Sequence, residues 1–179
     1  HLIFSSTHDF LLFFTNLGNV YSTKAYEIPE FGRNAKGLPI VNLLELDKGE
    51  KIQAVINVPE GADDNYLFFV TKMGTVKRTK VSEFQNIRRS GLIALTLRDG
   101  DELNNVLTTD GKQNILIGTH LGYAVTFNEK DVRSMGRTAA GVRGINLRDN
   151  DYVVGSDILE PASEVLVISE KGYGKRTAA

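Results

Sequence analysis

Cysteine is absent from the 179 residues, which excludes a disulfide framework, a Cys-ligated zinc site and a thiol nucleophile. No apolar run approaches the ~20 residues a membrane-spanning helix needs, and residues 1–30 do not follow the plan of a secretory signal peptide. Net charge is nearly absent too: 21 Lys+Arg stand against 22 Asp+Glu, a total of −1. Taken as a total, that argues against a strongly basic nucleic-acid protein and against a polyanionic tail. Helical periodicity is scarce; only Val81–Ile87 and Asn128–Met135 carry enough of it for a turn or two. With 41% hydrophobic and 24% charged residues, the composition is that of an ordinary soluble domain with a real core to bury. The chain reads as a soluble, cytoplasmic, β-rich protein of single-domain size.

What is present is repetition. The apolar runs Phe10–Thr15, Tyr66–Thr71, Asn114–Thr119 and Glu164–Ser169 each end in Thr or Ser and reach a glycine three residues later, at Gly18, Gly74, Gly122 and Gly172. Each run is strand-like and is followed by more strand residues, so each is the first half of a β-hairpin whose glycine supplies a positive φ. An acid follows nine residues after the glycine (Glu27, Glu83, Asp131) and an arginine fifteen residues after it (Arg33, Arg89, Arg137). Then come Gly37-Leu38, Gly91-Leu92 and Gly141-Val142, each opening a strand that runs to an acidic turn around Asp47–Glu50, Asp99–Asp101 or Asp149–Asp151. A repeat of about 50 residues carrying four short strands is the size of one propeller blade. The expected fold is therefore all-β, an array of four-stranded blades with units at approximately 10–65, 66–113, 114–163 and an incomplete 164–179. Because repeat arrays need neighbours to cover their faces, the chain reads as part of a longer array or as a small, incompletely closed ring.

The repeat also organises the charge. Between Lys72 and Arg98 the bases Lys72, Lys77, Arg78, Lys80, Arg88, Arg89 and Arg98 face the single acid Glu83, and Asp99, Asp101, Glu102 and Asp110 follow without a base. Tyr123–Arg148 is mostly basic, Asp149–Glu170 wholly acidic, and Lys171–Ala179 basic again. Equivalent positions of a blade array fall on equivalent edges, so the bases line one rim or outer face and the acidic turns another. A basic track on a curved surface suits a duplex-DNA backbone, since each neutralised phosphate releases counterions. The candidate DNA-binding residues are Arg33, Lys36, Lys77, Arg78, Lys80, Arg88, Arg89, Arg137, Arg143, Lys175 and Arg176. Taken singly, each base is accounted for by the charge that solvated strand edges ordinarily collect; the in-register set Arg33, Arg89 and Arg137 is what favours DNA. A propeller-like scaffold binding protein through one rim is the competing expectation, marked by an exposed apolar patch and scattered bases.

No catalytic constellation accompanies these features. His1, His8 and His120 lack metal-ligand spacing, and His120 falls in a hairpin turn, where exposure is expected. The acidic pairs Asp99/Asp101 and Asp149/Asp151 are suited to weak cation binding, but turn formation explains them better. Phe10, Phe13, Phe14, Phe68 and Phe69 lie within strand runs and read as core.

The segments Ser6–Tyr21, Lys24–Pro39, Ile87–Leu103, Met135–Ile145 and Glu170–Ala178 resemble the family of C-terminal domains found in the A subunit of DNA gyrase, in its Gram-positive form, over essentially the whole chain. The resemblance implies a β-pinwheel, in which neighbouring blades exchange strands, and a basic outer surface that binds and wraps double-stranded DNA for ATP-dependent negative supercoiling. It implies the rest of the gyrase A subunit and the gyrase B subunit as partners, and no membrane association. It also implies no catalytic residue or cofactor in this region, with the catalytic tyrosine and the use of ATP and Mg2+ in other domains. The family's signature box, Gln-Arg-Arg-Gly-Gly-Lys-Gly, is missing. Phe31–Gly37, Asn86–Gly91 and Met135–Gly141 occupy its blade position as degenerate versions, and by the repeat count the full box falls just before His1 or just after Ala179. The related subunit of topoisomerase IV, which shares the fold, is the alternative, with DNA binding but no full wrap.

Overall fold

A computed structural model describes residues 10–24, 48–59, 61–85, 87, 91–159, 164–168 and 174–178, the last two spans as backbone. Among the described residues thirteen strands run in chain order: β1 (Phe10–Thr15), β2 (Asn19–Lys24), β3 (Ile52–Val58), β4 (Tyr66–Thr71), β5 (Thr75–Lys80), β6 (Leu92–Ile93), β7 (Leu103–Thr109), β8 (Asn114–Thr119), β9 (Ala124–Asn128), β10 (Val142–Arg143), β11 (Val153–Leu159), β12 (Glu164–Ile168) and β13 (Gly174–Ala178). The two stretches with weak helical periodicity supply single 3-10 turns, Val81–Phe84 and Glu129–Asp131.

The strands form antiparallel sheets in the orders β3-β1-β2-β6, β10-β5-β4-β7, β11-β8-β9 and β12-β13. Two of these neighbours come from a different repeat. β6 follows the second hairpin in sequence yet pairs with β2 of the first, Asn19 opposite Ile93 and Val20 opposite Leu92. β10 follows the third hairpin and pairs with β5 of the second, Val142 opposite Val76 and Arg143 opposite Thr75. The second and third units thus each hand an outer strand to the blade before them.

The hairpins repeat atom for atom. Gly18, Gly74 and Gly122 sit at φ +85, +90 and +90, which L side chains rarely adopt. In each, the glycine N–H donates to the carbonyl of Thr15, Thr71 or Thr119 at 3.1 Å. The hydroxyl of the same threonine accepts the N–H four residues on, from Asn19, Thr75 and Tyr123 at 3.2, 3.0 and 3.1 Å. Thr-x-x-Gly is therefore one turn used three times, which is why it is visible in the sequence.

Burial explains which strands alternate. The run Leu67-Phe68-Phe69-Val70 in β4 shows no polar-apolar alternation because neither face meets water. Leu67 and Phe69 join Leu12, Phe14 and Val20 of the first blade, with Phe84 and Leu103, in one core. Phe68 and Val70 join Ile115, Ile117 and Val153 of the third blade in another. Phe14 meets Phe69 edge-on at 5.4 Å and Phe84 at 5.8 Å, so the aromatics are core, as read from the runs, and present no stacking face to a base. The inner strands β3, β7 and β11 stand side by side, and β3 and β7 carry uncharged amides. Gln53 donates to the Asn104 carbonyl at 3.1 Å, and Asn105 donates to the Ser156 carbonyl at 3.3 Å.

Candidate nucleic-acid interface

The segment from β9 to β10 leaves the third blade, crosses to the second and lies along its outer edge. From Val132 to Arg148 it carries Arg133, Arg137, Arg143 and Arg148 and no acid. Arg133, Arg143 and Arg148 are exposed and Arg137 half-buried. Arg98, also exposed, joins them from the second unit's turn: its Nη1 donates to Thr75 Oγ1 at 2.7 Å and its Nη2 to the Gly141 carbonyl at 3.2 Å. Arg137 Nη1 donates to the Ile93 carbonyl at 2.7 Å, bridging the outer strands of two blades. Arg143 Nη1 donates to Asn146 at 3.2 Å, and the Arg148 guanidinium lies 4.4 Å from the centre of the Tyr123 ring. Arg98, Arg137, Arg143 and Arg148 are each oriented by one or two contacts, and each keeps at least three of its five guanidinium N–H groups outside those bonds, in a rigid fork well matched to phosphate oxygens.

The candidate bases divide into groups. Arg137 and Arg143 are on the outer edge, and Lys80 is exposed at the end of β5. Lys175 and Arg176 lie in β13 as backbone, and Arg33, Lys36, Arg88 and Arg89 fall outside the described residues. Lys77 and Arg78 require a correction: both side chains are buried and cannot reach a phosphate. Lys77 is 0% exposed. Its ammonium donates to the carbonyls of Ala94 and Arg137, each at 2.5 Å, and of Gly136 at 3.3 Å. Arg78 Nε donates to the Val132 carbonyl at 2.8 Å, its Nη1 stands 3.9 Å from Glu129, and its guanidinium covers the Tyr66 ring. Both residues hold the crossing segment from beneath.

Burial, reinforced by the neighbouring Arg137 guanidinium and opposed by Glu83, pushes the Lys77 ammonium down to about 7. An unfolded lysine keeps its proton to about pH 10.4, so between about 7 and 10 the unfolded chain binds more protons than the folded one, and stability rises with pH through that window. The expected gain is at most about 1.4 kcal/mol per pH unit. Urea unfolding at pH 7 and 9.5 measures it; Lys77→Met should remove the increment, and an equal increment in the variant would assign it to other groups.

The acidic turns are staples rather than a repulsive rim. Glu50, Asp101 and Asp151 hold equivalent positions and each accepts from its own hairpin: Glu50 from the Thr15 hydroxyl at 2.6 Å, Asp101 from the Met73 N–H at 2.9 Å and Asp151 from the Leu121 N–H at 2.9 Å. The turn role read for these acids is the one the hydrogen bonds display. His120, expected to be exposed, is instead half-buried, stacked on Tyr152 at 4.6 Å. Among the described residues no cluster of His, Asp and Glu is placed to hold a metal, and no helix is long and apolar enough to cross a membrane. Arg98, Arg133 and Arg148 are exposed bases beyond the candidate set, and the acid-free interval from Val132 to Arg148 is the sequence signal for the last two.

The model of the family described as "DNA gyrase C-terminal domain, beta-propeller" matches residues 9–59, 65–110, 113–160 and 163–179. The chain is 50% identical over 179 residues to the A subunit of DNA gyrase from Staphylococcus aureus (strain NCTC 8325 / PS 47), covering 98% of this chain and 20% of that one. It is 63% identical over 139 residues to the A subunit of DNA gyrase from Streptococcus pyogenes serotype M1, covering 77% and 17%. Among solved structures, the C-terminal domain of DNA topoisomerase IV superposes with a TM-score of 0.81 at 31% identity, covering 95% of this chain and 53% of that one. The DNA gyrase A C-terminal domain superposes at 0.77 with 30% identity, covering 96% and 55%. The chain spans about a fifth of the length of the curated relatives it matches. Its repeated hairpins, exchanged outer strands and matched units give a β-pinwheel, and the chain belongs to the DNA gyrase C-terminal domain family.

Proposed function

We propose that this chain is the duplex-DNA-binding and DNA-wrapping part of a gyrase A subunit, contributing no chemistry of its own. Strand cleavage and ATP hydrolysis then belong to the remainder of the gyrase A chain and to the gyrase B subunit. The observation that carries this reading is the outer edge of the second blade: four arginines and no acid between Val132 and Arg148, joined by Arg98. Outward guanidinium groups oriented by backbone carbonyls bind phosphates without reading bases, so binding is tolerant of sequence. Recurrence of the same edge from blade to blade turns a set of contacts into a path. A duplex following that path bends, and the bend is offset by the additional contacts it allows.

The topoisomerase IV counterpart, binding without a full wrap, is the second reading, favoured by the TM-score of 0.81. Identities of 50% and 63% to gyrase A subunits favour the first. Sealing nicked circular DNA in the presence of the protein separates the two. A shift in linking number that grows with bound protein is the expected result; saturated binding with no shift points to the topoisomerase IV mode, and absence of binding overturns both.

A further inference from the structure

We propose that Lys77 is the positioning residue for the Met135–Gly141 segment, fixing where the Arg137 guanidinium stands on the outer edge. This rests on the DNA-binding reading above. The ammonium is buried beneath the junction of two chain segments from different repeats. One is the continuation of β6, represented by the Ala94 carbonyl; the other is the segment entering β10, represented by the Gly136 and Arg137 carbonyls. Three N–H donors meet three acceptors, so the Arg137 backbone is pinned from below while its side chain is pinned to Ile93 from above. The same two segments are tied once more at their exposed side, where the Thr96 hydroxyl donates to the Thr138 carbonyl at 2.6 Å. The Thr96 N–H also donates to the Ala139 carbonyl at 3.4 Å; among these ties across the seam Lys77 is the buried one, and it bonds the Arg137 backbone directly.

The sequence motif supports a specific role rather than general packing. Lys77-Arg78-Thr79 recurs as Lys175-Arg176-Thr177, whereas the first and third units have Tyr21-Ser22-Thr23 and Val125-Thr126-Phe127 at the same place. Tyr21 fills its position by packing against Gly91 and donating its hydroxyl to Glu50 at 3.0 Å. Among the described blades, the second receives the segment handed to it on the basic pair and the first on Tyr21. The charged groups that face Lys77 are Arg137 on the crossing segment and Glu83 on the turn after β5; β4 presents the Phe69 ring, 5.0 Å from the ammonium to its centre.

Three measurements on the full chain test this. In amide hydrogen exchange without DNA, Lys77→Met should speed exchange at Ala139 and Thr96, while exchange in β4 and β7 stays slow; unchanged exchange at the seam overturns the proposal whether or not DNA binds. In DNA binding, Lys77→Met and Arg137→Ala should each weaken affinity about fivefold, and the double variant should be no weaker than Arg137→Ala alone. Multiplying losses overturn positioning and leave the DNA-binding reading standing. Loss of the third N–H as Lys77 deprotonates should also make wild-type affinity fall between pH 6 and about 8.5 more steeply than that of Lys77→Met, at fixed salt. Parallel profiles count against the proposal.

Discussion

Replacing Arg133, Arg137 and Arg143 together by glutamate is expected to lower affinity for duplex DNA by at least about a hundredfold near 0.1 M salt. Each arginine stands on the acid-free outer edge, and each reversal both removes a counterion-releasing contact and sets a carboxylate against the phosphates. At roughly 1 kcal/mol or more per contact, three losses give at least two decades. The loss should be the same for unrelated sequences, because phosphate contacts carry no base information. Lys112→Glu makes the same kind of charge change in the turn between β7 and β8, at the end of the blade away from the hairpin tips. It should change affinity less than about threefold. Fluorescence anisotropy titrations of the two variants supply the comparison, and a triple variant that binds like wild type removes the outer edge from the interface.

The second large effect concerns the strand exchange that puts those arginines in place. Gly141 opens β10 at φ +91, and a Cβ there would run into the Val76 carbonyl oxygen and meet Thr75 Cγ2 at 3.0 Å. Gly141→Val is expected to lower unfolding free energy by about 3 kcal/mol or more, the left-handed dihedral contributing about 1–2 and the collision with backbone the remainder. Gly122 has almost the same dihedral, φ +90, but open space around its Cβ position. Gly122→Val should therefore lose only the dihedral part, about 1–2 kcal/mol. Urea unfolding of both variants separates the terms, and equal losses would mean that the close approach of β10 to β5 contributes nothing.

The parts of the fold that were legible in the sequence are those written in local chemistry. Thr-x-x-Gly fixes a hydrogen-bonded turn within five residues, so Gly18, Gly74 and Gly122 mark the hairpins unaided. The exchange of strands was not legible from spacing and came only with the family resemblance, because the two residues Leu92 and Ile93 do not encode which earlier strand they join. The interface was half legible. Charge segregation pointed to the right stretch of chain, and Arg137 and Arg143 lie on the exposed edge. Lys77 and Arg78 read as surface because lysine and arginine are seldom buried. What overrides that tendency is non-local: carbonyls of Ala94, Val132, Gly136 and Arg137 converge on the second blade from two other parts of the chain, and only cations with several donors satisfy them. The net charge of −1 was a poor guide for a related reason. Acids such as Glu50 and Asp151 are consumed inside the turns as acceptors, so they subtract from the total without covering the basic edge.

The salt dependence of duplex binding tests the central claim most directly. Plotting log affinity against log salt between about 50 and 200 mM for the wild-type chain on a duplex long enough to span the blades should give a slope of roughly −5 to −8, two or three phosphates per blade. A slope between zero and about −1 would contradict a phosphate-binding outer edge and return the chain to a role in binding protein.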